Sequence, residues 1–234
     1  MIDIKKISQV LQGKIEAAKE GKVSHVIINA ATPVLEDDKD KKKKIENARL
    51  DKILELAKIQ AESDIPILTI SLGSNKDLFF DDMLLYDFFD TALKKECMAT
   101  KTKVSVIGKW YSITGMVVEA IKGIMDATKD NSDFLLNICI NYDGQEEIVD
   151  ACRLMLLKIS DGKMSNDSAT KESIKENIYS SFLSPPELII ELTNMLSGTF
   201  LWDSKGAKVY FVNKHLQDFS RQDLLKAIEN YSKD

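Results

Sequence analysis

The fold of this chain is decided by one stretch in which a strand, a tight turn and a helix follow one another. Residues 137–151 read Asn-Ile-Cys-Ile-Asn-Tyr-Asp-Gly-Gln-Glu-Glu-Ile-Val-Asp-Ala. An apolar run ends at Ile140, Gly144 lies in the turn, and acidic residues open the helical segment. Glu146 and Glu147 favour a helix-start role over a catalytic carboxylate pair, because adjacent residues on a helix point in different directions.

The same alternation of short apolar runs and longer helical segments extends along the whole chain. Strands are predicted near 23–29, 66–70, 103–107, 134–140, 187–191 and 207–212, and helices near 44–62, 79–96, 113–128, 145–159, 171–181 and 220–231. This alternation predicts an α/β fold with a mainly parallel central sheet and helices on both faces. We expect residues 1–234 to form a single domain, with the polar segment 160–171 as a loop inside it.

The overall charge argues against a general nucleic-acid-binding protein. The net charge is -5, whereas neutralising phosphates requires a basic face. The lysine run 41–44 follows Glu36, Asp37, Asp38 and Asp40, and we interpret it as a solvated loop. No stretch approaches the roughly 18 apolar residues of a membrane span, so we expect neither signal peptide nor anchor and a cytoplasmic location.

The cysteines and histidines do not form a metal-binding pattern. Cys97, Cys139 and Cys152 have no metal-type spacing, and buried reduced thiols are the favoured interpretation. With only two histidines, a His-rich metal site is not expected, and we predict no metal ligand in this chain. His25 lies in a predicted strand, where a lone histidine is more often a hydrogen-bonded structural residue than a catalytic base.

The stretch 137–151 closely resembles the N-x-x-x-N-Y-G-G-R-x-E-I-V-x-A segment of the cis-prenyltransferases, which extend allylic diphosphates with isopentenyl diphosphate. Other parts resemble the family's V-I-G, L-W, E-L-Y-F, D-F and D-L-L motifs in order, at Val106-Ile107-Gly108, Leu201-Trp202, Val209-Tyr210-Phe211, Asp218-Phe219 and Asp223-Leu224-Leu225. His25-Val26 matches the start of the family's H-V-A-I-I-M-D-G-N. The resemblance implies the family's α/β fold and its diphosphate-binding sites.

The first implied site binds the allylic diphosphate after the first strand, through an Asp that handles Mg²⁺. Counted from His25, that Asp position is Ala31, and the following Gly and Asn become Thr32 and Pro33. Proline lacks the N–H that such a turn offers to an anion. The resemblance therefore indicates that this site is disabled, with Ala31 as a degenerate catalytic position.

The second implied site binds isopentenyl diphosphate through R-T-S-G-E and a following Q-R-L-S-N-F. Glu191 stands at the first Arg of this pattern, and of the second motif only Ser197 survives as a site residue. The family's F-S-T-E-N-W keeps only Ser74, with Lys76 at the Glu position. Loss of several diphosphate ligands makes catalysis by the family mechanism untenable. Ser74 and Ser197 remain weak candidates for substrate binding.

Two apolar groups have both a functional and a structural interpretation. Phe79, Leu85 and Phe89 lie in a segment that resembles the helix lining the growing-chain tunnel, although helical spacing alone predicts core packing. Trp202, Val209 and Phe211 are interpreted as core or as dimer-interface residues, since the family dimerises through this region.

These features lead to the expectation of a non-catalytic subunit in a heteromeric cis-prenyltransferase that makes long-chain polyprenyl diphosphate. Its partner would be a catalytically intact homologue, and Mg²⁺ is expected in that active subunit and not in this chain. Peripheral membrane contact through the complex is part of this hypothesis. Two alternatives stay open: a divergent isoprenoid-diphosphate-binding protein or prenyltransferase with altered head-group chemistry, and a homodimer that serves another partner.

Overall fold

The chain forms a parallel sheet, with six strands among the residues that the structure describes. The structure is a computed structural model, and it describes residues 23–30, 38–73 and 81–233. The order across the sheet is β3-β4-β2-β1-β5-β6, and all neighbouring pairs are parallel. The strands are β1 (His25–Asn29), β2 (Ile67–Ser71), β3 (Thr102–Ile107), β4 (Phe134–Cys139), β5 (Leu188–Glu191) and β6 (Lys208–Phe211).

The helices between these strands lie close to their predicted positions. They are α1 (Lys39–Glu62), α2 (Asp82–Asp87), α3 (Lys94–Ala99), α4 (Gly115–Ala127), α5 (Gly144–Ser160), α6 (Lys171–Asn177) and α7 (Arg221–Lys233). The helix predicted near 79–96 is interrupted, because a π-helical segment, Phe88–Leu93, joins α2 to α3. The helix predicted near 171–181 ends earlier, at Asn177. The α/β fold class with a parallel sheet is confirmed.

The interpretation of the lysine run as a solvated loop is wrong. Residues 41–44 lie within α1, which begins at Lys39. The carboxylate of Asp38 caps this helix by accepting hydrogen bonds from the N–H groups of Asp40 and Lys41. An N-cap acid supplies partners for N–H groups that lack them, and lysine is a good helix former, so the helix begins earlier than the apolar pattern indicates.

Successive residues of each strand enter two different cores. Val26, Ile28, Leu68 and Leu136 belong to the larger core, which also contains residues of α1, the helix 82–99, α4 and α7. Ile27, Ile67, Leu135 and Ile189 face the opposite side and pack with Tyr142, Leu183 and Phe200 in a smaller core. Both faces of the sheet are therefore covered, as expected for parallel strands.

The predictions for single polar and sulfur residues have mixed outcomes. Cys97 and Cys139 are buried and reduced, but Cys152 is exposed, because it lies outside the narrow buried stripe of α5. Burial raises the pKa of the Cys97 thiol to about 12. Among the described residues, no helix is both long enough and apolar enough to cross a membrane.

The order of the strands places a topological switch point between β1 and β5. From β1 the chain continues to β2 on one side, whereas β5 and β6 lie on the other side. In open parallel sheets, ligands bind outside the carboxyl ends of the strands at the point where the strand order reverses. The carboxyl ends of β1 and β5, here called the switch-point crevice, are therefore the first place to look for a functional site.

Candidate functional site

The switch-point crevice is closed by a hydrogen bond between its two walls. The side-chain Nδ2 of Asn29 donates to Oε1 of Glu191 over 2.9 Å, and both residues are buried. Asn29 is the last residue of β1 and Glu191 is the last of β5, and the strand register places them side by side. The carboxylate therefore lies inside the fold, only 2% exposed.

Ser197 contacts the same carboxylate oxygen from the loop that follows β5. Its backbone N–H lies 3.0 Å and its hydroxyl 3.2 Å from Oε1 of Glu191. Thr199 continues the contact by donating to the hydroxyl of Ser71, at the end of β2, over 3.1 Å. The structure thus brings together Glu191 and Ser197, both singled out from the sequence, and shows them bound to each other.

The hydrogen-bond donors around Glu191 hold its carboxylate in one position. Three donor groups converge on one oxygen, which offsets much of the free energy that burial of the group costs. Among the described residues, the buried Oδ1 of Asn29 has no hydrogen-bond partner, so the crevice adds a second acceptor rather than a donor. A diphosphate requires donors and cations at such a point, and the described part of this crevice presents oxygen acceptors.

Arg49 is a buried cation near the crevice that the sequence reasoning missed. It lies on the inward side of α1, with Leu50 and Ile53, and its Nη2 donates to the carbonyl oxygen of Ala30 over 3.1 Å. Glu46 is buried one turn earlier, and burial raises the pKa of its carboxyl group, although a hydrogen bond from the backbone of Asp81 opposes the shift. Arg49 stands at a position that the helical period assigns to the buried apolar face of α1. This position was the sequence signal from which its burial could have been predicted.

Two motifs from opposite halves of the chain meet in one buried hydrogen-bond chain. Nδ2 of Asn137 contacts the hydroxyl of Thr69 at 3.1 Å, and this hydroxyl lies 2.9 Å from Nε2 of His25. Nδ1 of His25 lies 2.8 Å from the carbonyl oxygen of Ser184, which only accepts, so Nδ1 carries the proton. Burial lowers the pKa of His25 to about 4, and its structural role is therefore favoured over catalysis.

The turn and helix of residues 137–151 form a second buried network. The hydroxyl of Tyr142 donates to Glu147 over 2.6 Å and accepts the backbone N–H of Phe200 over 3.1 Å. The other carboxylate oxygen of Glu147 accepts the backbone N–H of Ser180 over 3.0 Å. Burial raises the pKa of Glu147 despite these hydrogen bonds, and burial also raises the pKa of Tyr142. Glu147 thus joins three separate segments.

At two positions of the matched motifs, the lack of space for a side chain explains why glycine is present. A Cβ on Gly144 would lie 2.1 Å from the carbonyl oxygen of Gly198, and one on Gly108 would lie 2.4 Å from that of Ile140. Gly108 also has a φ of +103°, which favours glycine. These residues permit close backbone packing at the carboxyl edge of the sheet, so their match to the family reflects the fold and not the chemistry.

A surface cavity of about 400 Å³ lies beside the start of α5. Its charged groups are largely paired with one another: Lys109 contacts Glu146 at 2.9 Å and Asp150 at 3.1 Å, and Tyr179 donates to Asp150. Asp143 caps the helix through the N–H groups of residues 145 and 146. The cavity is lined by Lys109, Asn141, Asp143, Gln145, Glu146, Val149 and Tyr179.

The remaining candidates from the sequence are dispersed. Ala31, Ser74 and Phe79 lie outside the described residues. Leu85 and Phe89 are buried in the larger core, where the ring of Phe89 packs edge-to-face on Phe88. Core packing is therefore observed for both, and their substrate-binding role stays a prediction.

The interpretation of Val209 and Phe211 as core residues is wrong, because both are exposed on the edge strand β6. Trp202 is half-buried. An interface role for the three residues stays a prediction.

Clusters of candidate metal ligands are absent from the described residues. No group of three or more His, Cys, Asp or Glu side chains placed to hold a metal occurs within 23–30, 38–73 and 81–233. Mg²⁺ is usually held by one or two carboxylates together with waters and substrate phosphates, and the described carboxylate of the crevice accepts three hydrogen bonds through Oε1. Position 31, where the resemblance places the Asp that handles Mg²⁺, lies outside the described residues, so the absence of Mg²⁺ from this chain stays a prediction.

Relatives of this chain are diphosphate synthases and transferases by name. "Isoprenyl transferase 1" of Corynebacterium efficiens is 30% identical over 191 residues, which cover 77% of this chain and 75% of the relative. "(2Z,6E)-farnesyl diphosphate synthase" of Mycobacterium tuberculosis is also 30% identical over 191 residues, covering 77% of this chain and 73% of the relative.

The fold has solved counterparts. The crystal structure of lavandulyl diphosphate synthase from Lavandula x intermedia, in complex with dimethylallyl diphosphate, has a TM-score of 0.80 and 21% identity, covering 92% of this chain and 97% of that one. The structure of a probable undecaprenyl diphosphate synthase from Campylobacter jejuni has a TM-score of 0.67 and 17% identity, covering 91% and 96%.

A family profile described as "Putative undecaprenyl diphosphate synthase" matches residues 37–234. This match covers the whole sheet beyond β1 and includes the motif segment 137–151, whose buried contacts are described above. The chain therefore belongs to the family of undecaprenyl diphosphate synthases, the cis-prenyltransferases.

Proposed function

We propose that this chain is a non-catalytic subunit of a heteromeric cis-prenyltransferase that makes long-chain polyprenyl diphosphate. In this complex it stabilises or shapes an active homologous subunit. The observation that carries the proposal is the buried carboxylate of Glu191, fixed by three donor groups at the switch-point crevice. A fixed acid cannot act as the cation that grips a diphosphate, and it repels an anion at the same point.

The neighbouring groups do not supply a substitute in the described residues. Ser197 directs both its N–H and its hydroxyl at Glu191. Arg49 is only 1% exposed and directs Nη2 at the backbone of Ala30. The proposal assigns the diphosphate ligands and Mg²⁺ to the partner subunit, which carries the family's Asp and Arg motifs.

The surface proposed for the partner is the exposed side of the edge strand β6. Val209 pairs in register with Ile189, and Phe211 pairs with Glu191, so both side chains project from the face that holds the smaller core. Phe211 is 50% exposed, although it is aromatic and stands at the end of a strand. Apolar aromatic residues exposed on an edge strand are typical of a protein interface.

Co-purification tests this proposal directly. The chain and an intact family member from the same source are co-expressed, with an affinity tag on one of them, and prenyl transfer is measured for each alone and for the mixture. We expect a stable complex and greater activity of the mixture. The double variant V209E/F211E should abolish the complex, whereas Leu225→Glu, at an exposed leucine of α7, should leave it intact.

A divergent enzyme is the second candidate, and the names of the relatives favour it. Proteins 30% identical to this chain are named as a transferase and a synthase. Incubation of the isolated chain with Mg²⁺, an allylic diphosphate and isopentenyl diphosphate distinguishes the two candidates. Release of inorganic pyrophosphate by the chain alone would contradict the non-catalytic assignment.

A further inference from the structure

Three hydrogen-bond donors around Glu191 are arranged as in a binding site for an oxyanion. Nδ2 of Asn29, the backbone N–H of Ser197 and the hydroxyl of Ser197 all point at Oε1, over 2.9, 3.0 and 3.2 Å. Donors that converge on one charged oxygen form stronger hydrogen bonds than donors to a neutral acceptor, and this geometry is the one that stabilises oxyanions in proteins. These three donor groups are here called the donor pocket.

The donor pocket is supported by contacts that do not involve Glu191. Thr199 donates its backbone N–H to the hydroxyl of Ser197 over 3.4 Å, and its own hydroxyl donates to Ser71 over 3.1 Å. Ser71 ends β2 and pairs in register with Asn29 at the end of β1. The loop that carries Ser197 is therefore tied to the same two strands that position Asn29, and we expect the donors to keep their places when the carboxylate is removed.

The donor pocket is buried on one side and reaches solvent on the other. Asn29 and Glu191 are each 2% exposed. Ser197, in contrast, is exposed, and so are the three residues that precede it in the loop. One exposed residue, and not a layer of core side chains, therefore separates Oε1 from water on this side, so a small ion can approach the donors without disruption of the sheet.

A buried cation lies beside the donor pocket. Nη2 of Arg49 donates to the carbonyl oxygen of Ala30, the residue that follows Asn29, and Arg49 is only 1% exposed. Glu46, one turn earlier on α1, is also buried and partly offsets this charge. Away from water, a positive charge at short range favours an anion more strongly than it does at the surface. The surroundings of Oε1 are thus compatible with a bound anion.

We propose that the donor pocket is a binding site for a small oxyanion, of the carboxylate class, and that the chain fills this site with its own Glu191. Because the side chain belongs to the protein, its local concentration at the donors exceeds that of a free anion in solution. The contact is therefore autoinhibitory. The inference rests on the proposed function for its premise that this crevice does not hold a diphosphate, and it adds that occupancy, together with repulsion, excludes external anions.

Removal of the carboxylate and titration with acetate test this inference. Glu191→Ala leaves the three donors without their acceptor, and acetate presents the same group to them. Urea denaturation is measured in sodium acetate, with sodium chloride replacing acetate to keep the ionic strength constant. With a dissociation constant of about 10 mM, acetate at about 100 mM should lower the unfolding equilibrium constant of this variant about tenfold. The unchanged chain should be insensitive to the exchange of chloride for acetate.

Two further variants distinguish binding in the pocket from a general effect of acetate. Glu191→Gln keeps an oxygen that the donors can reach, so the pocket stays filled and stability should not depend on acetate. The double variant E191A/S197A loses the hydroxyl donor and keeps the backbone N–H, and it should bind acetate about tenfold more weakly than Glu191→Ala. Equal responses of the four proteins would overturn the inference. So would a Glu191→Ala chain that acetate neither stabilises nor, if it is unfolded in chloride, restores to its folded circular dichroism spectrum.

The amide proton of Ser197 reports directly on what occupies the pocket. In nuclear magnetic resonance spectra of Glu191→Ala, acetate should move this resonance in a saturable manner toward its position in the unchanged chain. A shift that does not saturate, or that the unchanged chain shares, would contradict the inference. All these measurements use the chain alone. Their failure would leave the co-purification test of the subunit proposal unaffected, and failure of co-purification would not alter the acetate result.

Discussion

At the scale of single residues, this chain presents a buried acid, Glu191, where the resemblance implies a cation. Glu191 could be read from the sequence as a changed diphosphate ligand. Its hydrogen bond with Asn29 joins residues 162 positions apart, and its two contacts with Ser197 join residues six positions apart. The sequence alone predicts neither contact. Glu191 therefore has a structural role at the switch-point crevice.

Removal of the Glu191 carboxylate should destabilise the protein. Glu191→Ala leaves the buried amide of Asn29 and the N–H of Ser197 without an acceptor, and we expect a loss of about 1–3 kcal/mol in the free energy of unfolding. Glu191→Gln keeps one acceptor oxygen and should lose less. Urea denaturation measures both, with Glu119→Ala on the surface as a control expected within about 0.5 kcal/mol of the unchanged chain.

His25 should make stability depend on pH. Its pKa falls from 6.5 to about 4 on folding because the ring is buried. Below pH 6.5 the unfolded state therefore binds more protons than the folded state, and this residue's contribution to stability, about 3 kcal/mol, is lost as the pH falls toward 4.

The comparison of two histidine variants isolates this effect. His25→Gln should be less stable at pH 7 and should show a flatter stability profile between pH 7 and pH 4, measured by urea denaturation at each pH. His215→Gln changes an exposed ring and should retain the profile of the unchanged chain. Parallel profiles for the His25 variant and the unchanged chain would contradict the assignment.

At the scale of elements, close backbone contacts decide where the segments meet. The start of α5 packs on the loop at Gly198, and the space there admits no Cβ at position 144. Tyr142 and Glu147, on either side of this glycine, bind Phe200 and Ser180 respectively. The stretch 137–151 is therefore the place where β4, α5 and the two segments that flank β5 are joined.

Two glycine substitutions should have opposite signs. Gly144→Ala forces a Cβ to within 2.1 Å of a backbone oxygen, and we expect a loss of about 1–3 kcal/mol in the free energy of unfolding. Gly123→Ala lies inside α4 with nothing within 4 Å, and it should gain about 0.5–1 kcal/mol from its higher helix propensity. Thermal and urea unfolding measure both, and equal effects would show that the packing account is wrong.

At the scale of the whole molecule, apolar side chains of the described residues remain exposed on more than one surface. One surface is the edge strand β6 with Val209 and Phe211, proposed for the partner subunit, and another is the outer side of α5 with Leu156 and Leu157. Phe211 ends β6 in register with Glu191, so the surface proposed for the partner extends to the carboxyl edge of the sheet.

Partner binding should stabilise the chain by mass action. If an intact homologue binds the folded chain only, a concentration of 100 times the dissociation constant raises the free energy of unfolding by about 2.7 kcal/mol. Addition of the partner should then slow hydrogen exchange in β6 more than in β3, which lies at the opposite edge of the sheet. An unchanged exchange rate in β6 with the partner present would contradict the proposed interface.

The sequence by itself determined the class and order of the elements. All six strands lie within two residues of their predicted positions, because β-branched apolar runs and helical periodicity are local signals that burial on both sheet faces makes strong. The lysine run was misassigned because a single capping residue, Asp38, extends the helix beyond its apolar stripe. A capping Asp is a local signal in the sequence, but a charged residue at this position is equally compatible with a solvated loop.

Only the tertiary structure decided what the candidate residues contact. Glu191 and Ser197 are hydrogen-bonded to each other, and His25 and Asn137 both contact the hydroxyl of Thr69. Arg49, a residue type that is usually exposed, is buried. Val209 and Phe211, apolar in sequence, ended on the surface, because the strand order leaves β6 at the edge. The reason is physical: spacing along a chain fixes which face a residue occupies, whereas its partners depend on how distant segments pack.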